Sequence, residues 1–320
     1  IIVGTHAILQ ANVEIPRLAL AVVDEQHRFG VMQRSQLRDK GISPHLLVMS
    51  ATPIPRSLSL TIYGDLDISI LNELPIGRQK IQTKLVHPSK RSDSYQFIRE
   101  QISQGRQAFV VCPIIEESDS LQVRAATSEY NRLSKDIFPS LSVGLIHGKL
   151  KVREKEQIIN DFRNGSLDIL VSTPVIEVGI DIPNASVMLI EGSDRFGLAQ
   201  LHQFRGRVGR GKYKSYCLLS TDSPVYQTIE RLKIMERMDD GFSVAEEDLR
   251  FRGPGDYFGT RQSGLPSLKI ARLSDTDLLY LARKEASTLL QTDPNINQKD
   301  NMSLIPILES YSSFANTEAS

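Results

Sequence analysis

Cysteine is scarce: the 320 residues hold 2, Cys112 and Cys217, each inside an apolar strand-like run with no second Cys or His at metal-ligand spacing. That excludes a disulfide framework and a thiolate zinc site, and the thiols read as reduced core residues of a cytosolic protein. No apolar run reaches the length of a membrane helix and no charged-then-apolar leader opens the chain, so neither a span nor an export signal is expected. Net charge is missing too, since Lys plus Arg and Asp plus Glu each number 38. Whole-chain charge therefore points to no partner. Internal repeats and long low-complexity segments are absent. So is the phosphate-cradling string Gly-x-x-x-x-Gly-Lys-[Ser/Thr]. The chain starts at Ile1, without Met, in what reads as the middle of a strand. A fragment is expected, unable by itself to hydrolyse a nucleotide at an appreciable rate.

What is present is unevenly placed. Between Arg195 and Thr221 lie six basic residues and no acidic one, a stripe suited to phosphate, whether of a nucleotide or of a nucleic-acid backbone. At this length two compact units plus additions are expected. Residues 1–76 read as strand (1–3), short helix (5–10), strand (18–23), helix (31–39) and strand (45–49), the alternation of a parallel sheet. A break at Pro75-Ile76-Gly77-Arg78 leads into a second α/β unit over 77–220. It has five strand candidates (108–112, 142–146, 168–172, 187–190 and 215–219) with helices over 92–103, 121–138 and 152–163 between them. A helical hairpin follows over 225–238 and 243–249, then a glycine-rich loop, so that 221–268 forms a third segment. Residues 269–320 read as a helix over 275–290 and a fraying Asn/Ser-rich tail.

Asp24-Glu25-Gln26-His27 closes the 18–23 strand, and ligands of open α/β sheets bind at the carboxyl ends of such strands. Phosphoryl transfer needs a carboxylate on Mg²⁺, a group that orients the attacking water, and positive charge on the leaving phosphoryl oxygens. Asp24 suits the metal, Glu25 the water, and Arg207 with Arg210 the charge. His27 gains a role by its adjacency to Glu25, whereas His147 and His202 read as structural. An Asp-Glu pair alone is equally a solvated strand end. Ser50-Ala51-Thr52, closing the next strand, offers hydroxyls on the γ-phosphate side of the same edge. Ser172-Thr173-Pro174 leaves another buried strand through a hydroxyl-rich turn that can grip a nucleic-acid phosphate, with Gly179 as a turn residue and Asp181 in reach of ribose or of the arginines. In the run 203–210 the two arginines stand at i and i+3, which on a helix is nearly one face and suits bidentate phosphate recognition. A basic solvated helix is its plainer reading. The loop 249–264 mixes Arg250, Arg252, Arg261 and Gln262 with aromatics and glycines, fit to follow a duplex or to act as an interdomain clasp.

Together these strings resemble superfamily 2 helicases, and among them the RecG family of bacterial DNA branch-migration helicases, over almost the whole chain. Residues 3–7 resemble the end of motif Ib, 24–27 the Asp-Glu-Gln-His form of motif II, 50–52 motif III, 172–183 motif V and 203–210 motif VI. The hairpin and following loop are similar to the translocation motif that this family shares with transcription-repair coupling factors. Those factors usually carry Asp-Glu-Glu-Gln in motif II. The resemblance implies an α/β fold of tandem RecA-like parallel-sheet lobes, the first incomplete, followed by a helical hairpin, a loop and C-terminal helices. It implies ATP and Mg²⁺ as cofactors, with Asp24 on the metal, Glu25 as catalytic base, His27 coupling ATP to DNA, Gly179, Asp181 and Gln203 on the nucleotide, and Arg207 and Arg210 as arginine fingers. Thr5, Ser50, Thr52, Ser172 and Thr173 would contact or couple to DNA, while Arg252, Arg261 and Gln262 would move the duplex. Branched double-stranded DNA is the implied substrate and single-stranded DNA-binding protein a further partner, in a bacterial cytoplasm. Pro174 and Ser57 stand where relatives usually carry Thr, and the amino-terminal wedge domain is missing along with the phosphate loop. The competing readings are a non-catalytic duplex-binding module and a transcription-repair coupling translocase.

Overall fold

The computed structural model describes residues 1–10, 13–25, 40–41, 44–51, 67–71, 73, 78–113, 119–174, 181–252 and 275–309. The chain divides into two units, Ile1–Pro53 and Ile54–Ser320.

In the first unit, β1 (Leu20–Val23) and β2 (His45–Val48) pair in parallel with Val23 opposite Val48. Register and direction bring Asp24 beside Met49, one residue before Ser50, so the two motifs that close these strands share one sheet edge. Ala21 and Val23 are buried, while Leu20, Val22 and Leu47 stay about half exposed. The strand expected at residues 1–3 is not one: Ile1 to Val3 are exposed with no ladder partner among the described residues. Apolar β-branched residues favour a strand only where a neighbour completes their hydrogen bonds. A single 3-10 turn, His6–Leu9, follows. The helix expected over 31–39 lies outside the described residues, as does most of the break at 75–78, of which only Arg78 is described.

Among the described residues the second unit holds a sheet of six parallel strands, one more than expected. They are β3 (Ile81–Val86), β4 (Gln107–Val111), β5 (Val143–Ile146), β6 (Ile169–Ser172), β7 (Ala185–Ile190) and β8 (Ser215–Ser220), in spatial order β3-β8-β7-β4-β6-β5. The central strands are continuous apolar runs, as burial on both faces demands. The missed β3 reads Ile-Gln-Thr-Lys-Leu-Val and alternates between half-buried and exposed, the signature of an edge. Its outer backbone is occupied: Leu85 N–H donates to Glu236 Oε1 at 2.7 Å, which blunts an edge that would otherwise recruit another strand.

Side chains alternate across the sheet. On one face Phe109, Val111, Leu170, Met188, Ile190, Cys217 and Leu219 pack under α3 (Val152–Arg163), α4 (Leu198–Arg205), α5 (Tyr226–Arg237) and α6 (Gly241–Arg252). On the other, Ala108, Val110, Val171, Val187 and Leu189 meet α1 (Arg91–Ser103) and the last turns after α2 (Asp119–Arg132). Both cysteines are free and buried as expected, and burial raises the Cys217 thiol to about 12.

The next described element after α6 is α7 (Thr276–Thr292). The tail beyond it does not fray at once. Asp293, 5% exposed, accepts hydrogen bonds from the backbone of Asn297 and Gln298 and from Asn301 Nδ2, and a 3-10 turn follows at Met302–Leu304. An Asx carboxylate that gathers nearby donors turns an Asn-rich segment into ordered structure. Among the described residues no helix is long and apolar enough to cross a membrane.

Candidate functional site

Glu25 directly follows β1 and Asp24, and its backbone is left-handed with φ +51. A non-glycine residue pays roughly 1–3 kcal/mol for such a conformation, and strain of this kind gathers at functional sites. The Glu25 N–H donates to Asp24 Oδ1 at 2.8 Å, fixing the turn. Asp24 itself is exposed. A single accessible carboxylate at a strand's carboxyl end fits Mg²⁺, which keeps several waters and relies on substrate phosphates for its remaining ligands. The described residues contain no group of three or more His, Cys, Asp or Glu side chains able to hold a metal by themselves. Ser50 is exposed on the same edge, and Thr5 is exposed before the 3-10 turn. His27, Thr52 and Ser57 lie outside the described residues.

In the second unit the basic stripe folds into a turn. Helix α4 carries half-buried Gln203 but ends at Arg205, with Gly206 as its cap. Arg207 and Arg210 therefore do not share a helical face, as their spacing implied. They project from the turn that follows, in which the helix ends at its cap Gly206 and the chain turns away at Gly209, with φ +79. A Cβ on Gly209 would sit 2.9 Å from Ile81 Cγ1, and one on Gly211 only 2.1 Å from the Pro183 carbonyl oxygen. The turn is thus pressed against β3 and against the segment that enters β7. Its Gly206 carbonyl accepts from Arg78 Nη2 at 3.2 Å and from Arg210 Nε at 3.3 Å. Arg210 Nη1 also reaches Asp181 Oδ1 at 3.3 Å. Burial, then the neighbouring Arg210, lowers the Arg78 pKa, though an Arg remains charged. Arg207 is half-buried on the same turn.

The hydroxyls expected to hold nucleic acid are less available. Ser172 is fully buried and donates to the Thr173 carbonyl, and Thr173 is only 5% exposed. Ser172 therefore shapes the end of β6, its hydroxyl being engaged by the neighbouring carbonyl. Gly179 lies outside the described residues, and so do Arg261 and Gln262. Arg252 was expected in the loop; its backbone is the last residue of α6.

Sequence reasoning missed Arg205. Only 3% exposed, it donates from Nη1 to the carbonyls of Met235 (3.0 Å) and Met238 (2.8 Å), with Thr83 Oγ1 at 3.4 Å, and from Nη2 to the Asp239 carbonyl (3.0 Å) and His202 Nδ1 (2.8 Å). Burial first, then Arg205, drives the His202 pKa down to about 4, so the ring is neutral and Nδ1 is the acceptor. The available signal was a charged residue on the helix side occupied by Leu198, Leu201 and Phe204. Glu191, also missed, is 7% exposed at the end of β7; it accepts from Tyr95 Oη at 2.8 Å and lies 3.5 Å from Arg91 and 3.7 Å from Arg132.

A six-stranded parallel sheet whose basic turn follows α4, with a helical hairpin packed beside it, defines the class: a RecA-like helicase lobe of superfamily 2. The description "Helicase conserved C-terminal domain" matches residues 89–212, and "ATP-dependent DNA helicase RecG, domain 3, C-terminal" matches 238–312. The chain belongs to the RecG family and corresponds to its carboxyl-terminal portion. It is 51% identical to ATP-dependent DNA helicase RecG of Synechocystis over 95% of this chain and 37% of that protein, and 49% identical to that of Thermotoga maritima over 90% and 37%. The RecG of Bacillus subtilis is 48% identical over 92% of this chain and 43% of its own length. The chain thus spans well under half of these relatives. Among solved structures, RecG bound to a three-way DNA junction matches at 45% identity and a TM-score of 0.66, over 87% of this chain and 35% of that one. Saccharomyces cerevisiae Dbp5 bound to RNA and ADP BeF3 shares the fold at 16% identity and a TM-score of 0.51, over 77% of this chain and 66% of Dbp5.

Proposed function

We propose that the chain is the motor portion of an ATP-dependent double-stranded DNA translocase that regresses stalled forks and migrates Holliday junctions. The observation that supports this best is the turn at 206–210. It holds Arg207 and Arg210 on a rigid backbone while Arg210 rests against a replaceable carboxylate, a geometry suited to phosphate oxygens. In this reading Asp24 is the ligand for Mg²⁺, which neutralises phosphate charge when bound, and Glu25 orients the water and accepts its proton. His27 links the nucleotide to DNA. Gln203, Gly179 and Asp181 contact the nucleotide, with Asp181 releasing Arg210 to a phosphate.

Thr5, Ser50 and Thr52, and the backbone around Ser172 and Thr173, are assigned to DNA contact or coupling. Arg252, Arg261 and Gln262 belong to the segment that pushes the duplex. Branched duplex DNA is the substrate, in line with the junction bound by the 45%-identical relative, and single-stranded DNA-binding protein is a partner. The decisive experiment offers a synthetic Holliday junction and ATP to the full-length protein. Branch migration that Glu25→Gln abolishes is the expected result, and an inert wild-type protein would overturn the reading.

A further inference from the structure

Arg205 has no part in the chemistry just described, yet its guanidinium reaches five acceptors. Its guanidinium is buried, with the Asp239 carboxylate near enough to favour its charge. Three of those acceptors are the carbonyls of Met235, Met238 and Asp239, at the end of α5 and in the turn that leads to α6. Those carbonyls lie where a helix leaves its last acceptors unpaired and where its dipole favours a cation. Asp240, the next residue, accepts from both the backbone and the hydroxyl of Ser243 and so caps α6. One side chain therefore grips the corner of the hairpin from which both helices diverge.

The grip has a short lever. Arg205 is the last residue of α4, and the cap Gly206 is the acceptor for both Arg78 and Arg210. Gly209 and Gly211 leave no room for the turn to slide independently of β3 and Pro183. A movement of Arg210 away from Asp181 would thus be carried by Gly206 into Arg205, and from there into the hairpin corner. Two further tethers keep the hairpin from absorbing that movement: Arg231 donates to the carbonyls of Asp194 and Phe196, and Lys80 pairs with Asp239. A packed, fully hydrogen-bonded junction transmits displacement because it has no slack of its own.

We propose that Arg205 is the positioning residue that couples the nucleotide-side turn to the hairpin, an assignment that rests on the motor reading above. His202 orients it: a neutral imidazole accepting at Nδ1 fixes the fork so that the remaining donors meet the three carbonyls. Lysine keeps the charge but lacks the planar fork and cannot serve these acceptors together.

The test measures ATP consumed and junctions migrated in one reaction, with full-length Arg205→Lys beside wild type. Expected are a KM for ATP and a kcat for DNA-stimulated hydrolysis within about threefold of wild type, with ATP consumed per migrated junction raised at least about tenfold. Equal loss of hydrolysis and migration, or no change in their ratio, overturns the assignment. Should Arg205→Lys not fold, judged by its circular dichroism and melting, His202→Leu decides the matter. It removes one acceptor and is expected to raise the same ratio about threefold, and an unchanged ratio again overturns it. A wild-type protein that hydrolyses no ATP on DNA removes the motor reading and the coupling with it; an active wild type with an unaltered ratio in the variants removes the coupling alone.

Discussion

Asp181 Oδ1 stands 3.3 Å from Arg210 Nη1, joining residues 29 apart in sequence across the mouth of the basic turn. Their side chains are 62% and 33% exposed, so solvent screening leaves the pair worth at most about 1 kcal/mol. A phosphate can therefore displace Asp181 easily. Replacing Arg210 should be far more severe, because a guanidinium on the leaving phosphoryl group contributes about a thousandfold or more to turnover. In the full-length protein Arg210→Ala is expected to lower kcat on that scale, whereas Asp181→Ala alters nucleotide affinity by less than about fivefold. Steady-state kinetics at saturating DNA checks both. A stronger effect from Asp181 than from Arg210 would reverse their roles.

Residues 1–320 alone are expected to show no appreciable DNA-stimulated ATP hydrolysis, since the sequence contains no Gly-x-x-x-x-Gly-Lys-[Ser/Thr] loop to hold the phosphates. A coupled phosphate-release assay with and without branched DNA measures it, and robust turnover would falsify the expectation that hydrolysis needs this loop.

His202 makes stability pH-dependent. Its folded pKa, about 4, lies below the ordinary 6.5, so between those values the unfolded chain binds a proton that the folded one refuses. Stability from this group is complete above pH 6.5 and is lost as the pH falls toward 4, by an amount on the order of 3 kcal/mol at about 1.4 kcal/mol per unit. Urea midpoints at pH 7.5 and 4.5 should differ less in His202→Gln than in wild type. An identical pH response in the two proteins would exclude His202 as its source.

The core prediction concerns Phe109, fully buried and tilted against Phe162 with ring centroids 5.0 Å apart. Phe109→Ala should destabilise the second unit by about 3–5 kcal/mol, read as a lower denaturant midpoint. A change under about 1 kcal/mol would mean that the site collapses to fill the void.

The backbone of the basic turn is testable apart from its charges. A Cβ at position 211 would collide with the Pro183 carbonyl at 2.1 Å, and a backbone atom cannot swing aside as a side chain can. Gly211→Ala should lower the melting temperature by several degrees and, in the full-length protein, reduce kcat by displacing Arg210. Wild-type melting with wild-type kcat would show that the turn rides free of Pro183.

Much of this protein was legible in one dimension. Continuous apolar runs such as those in β4, β6 and β7 can satisfy themselves only as buried parallel strands, so the α/β class and most strands follow from local sequence. Asp24-Glu25 and Ser50 fall at strand ends by the same logic, and the run 203–210 stands out as basic by composition alone. What local sequence could not decide depends on partners distant along the chain. β3 is a strand because β8 pairs with it and Glu236 covers its free edge, although half of its residues are polar. Residues 1–3 have strand-forming side chains and no described ladder to join. The spacing of Arg207 and Arg210 describes a helical face only while the helix continues, and it stops at Gly206, where the chain packs against Ile81 and Pro183. Arg205 reads as one more positive charge until the end of α5 and the turn after it bring three carbonyls within reach. Local hydrophobic pattern and turn chemistry determine which elements can form; the placement of buried polar groups is decided by whatever acceptors the tertiary fold brings within hydrogen-bonding distance.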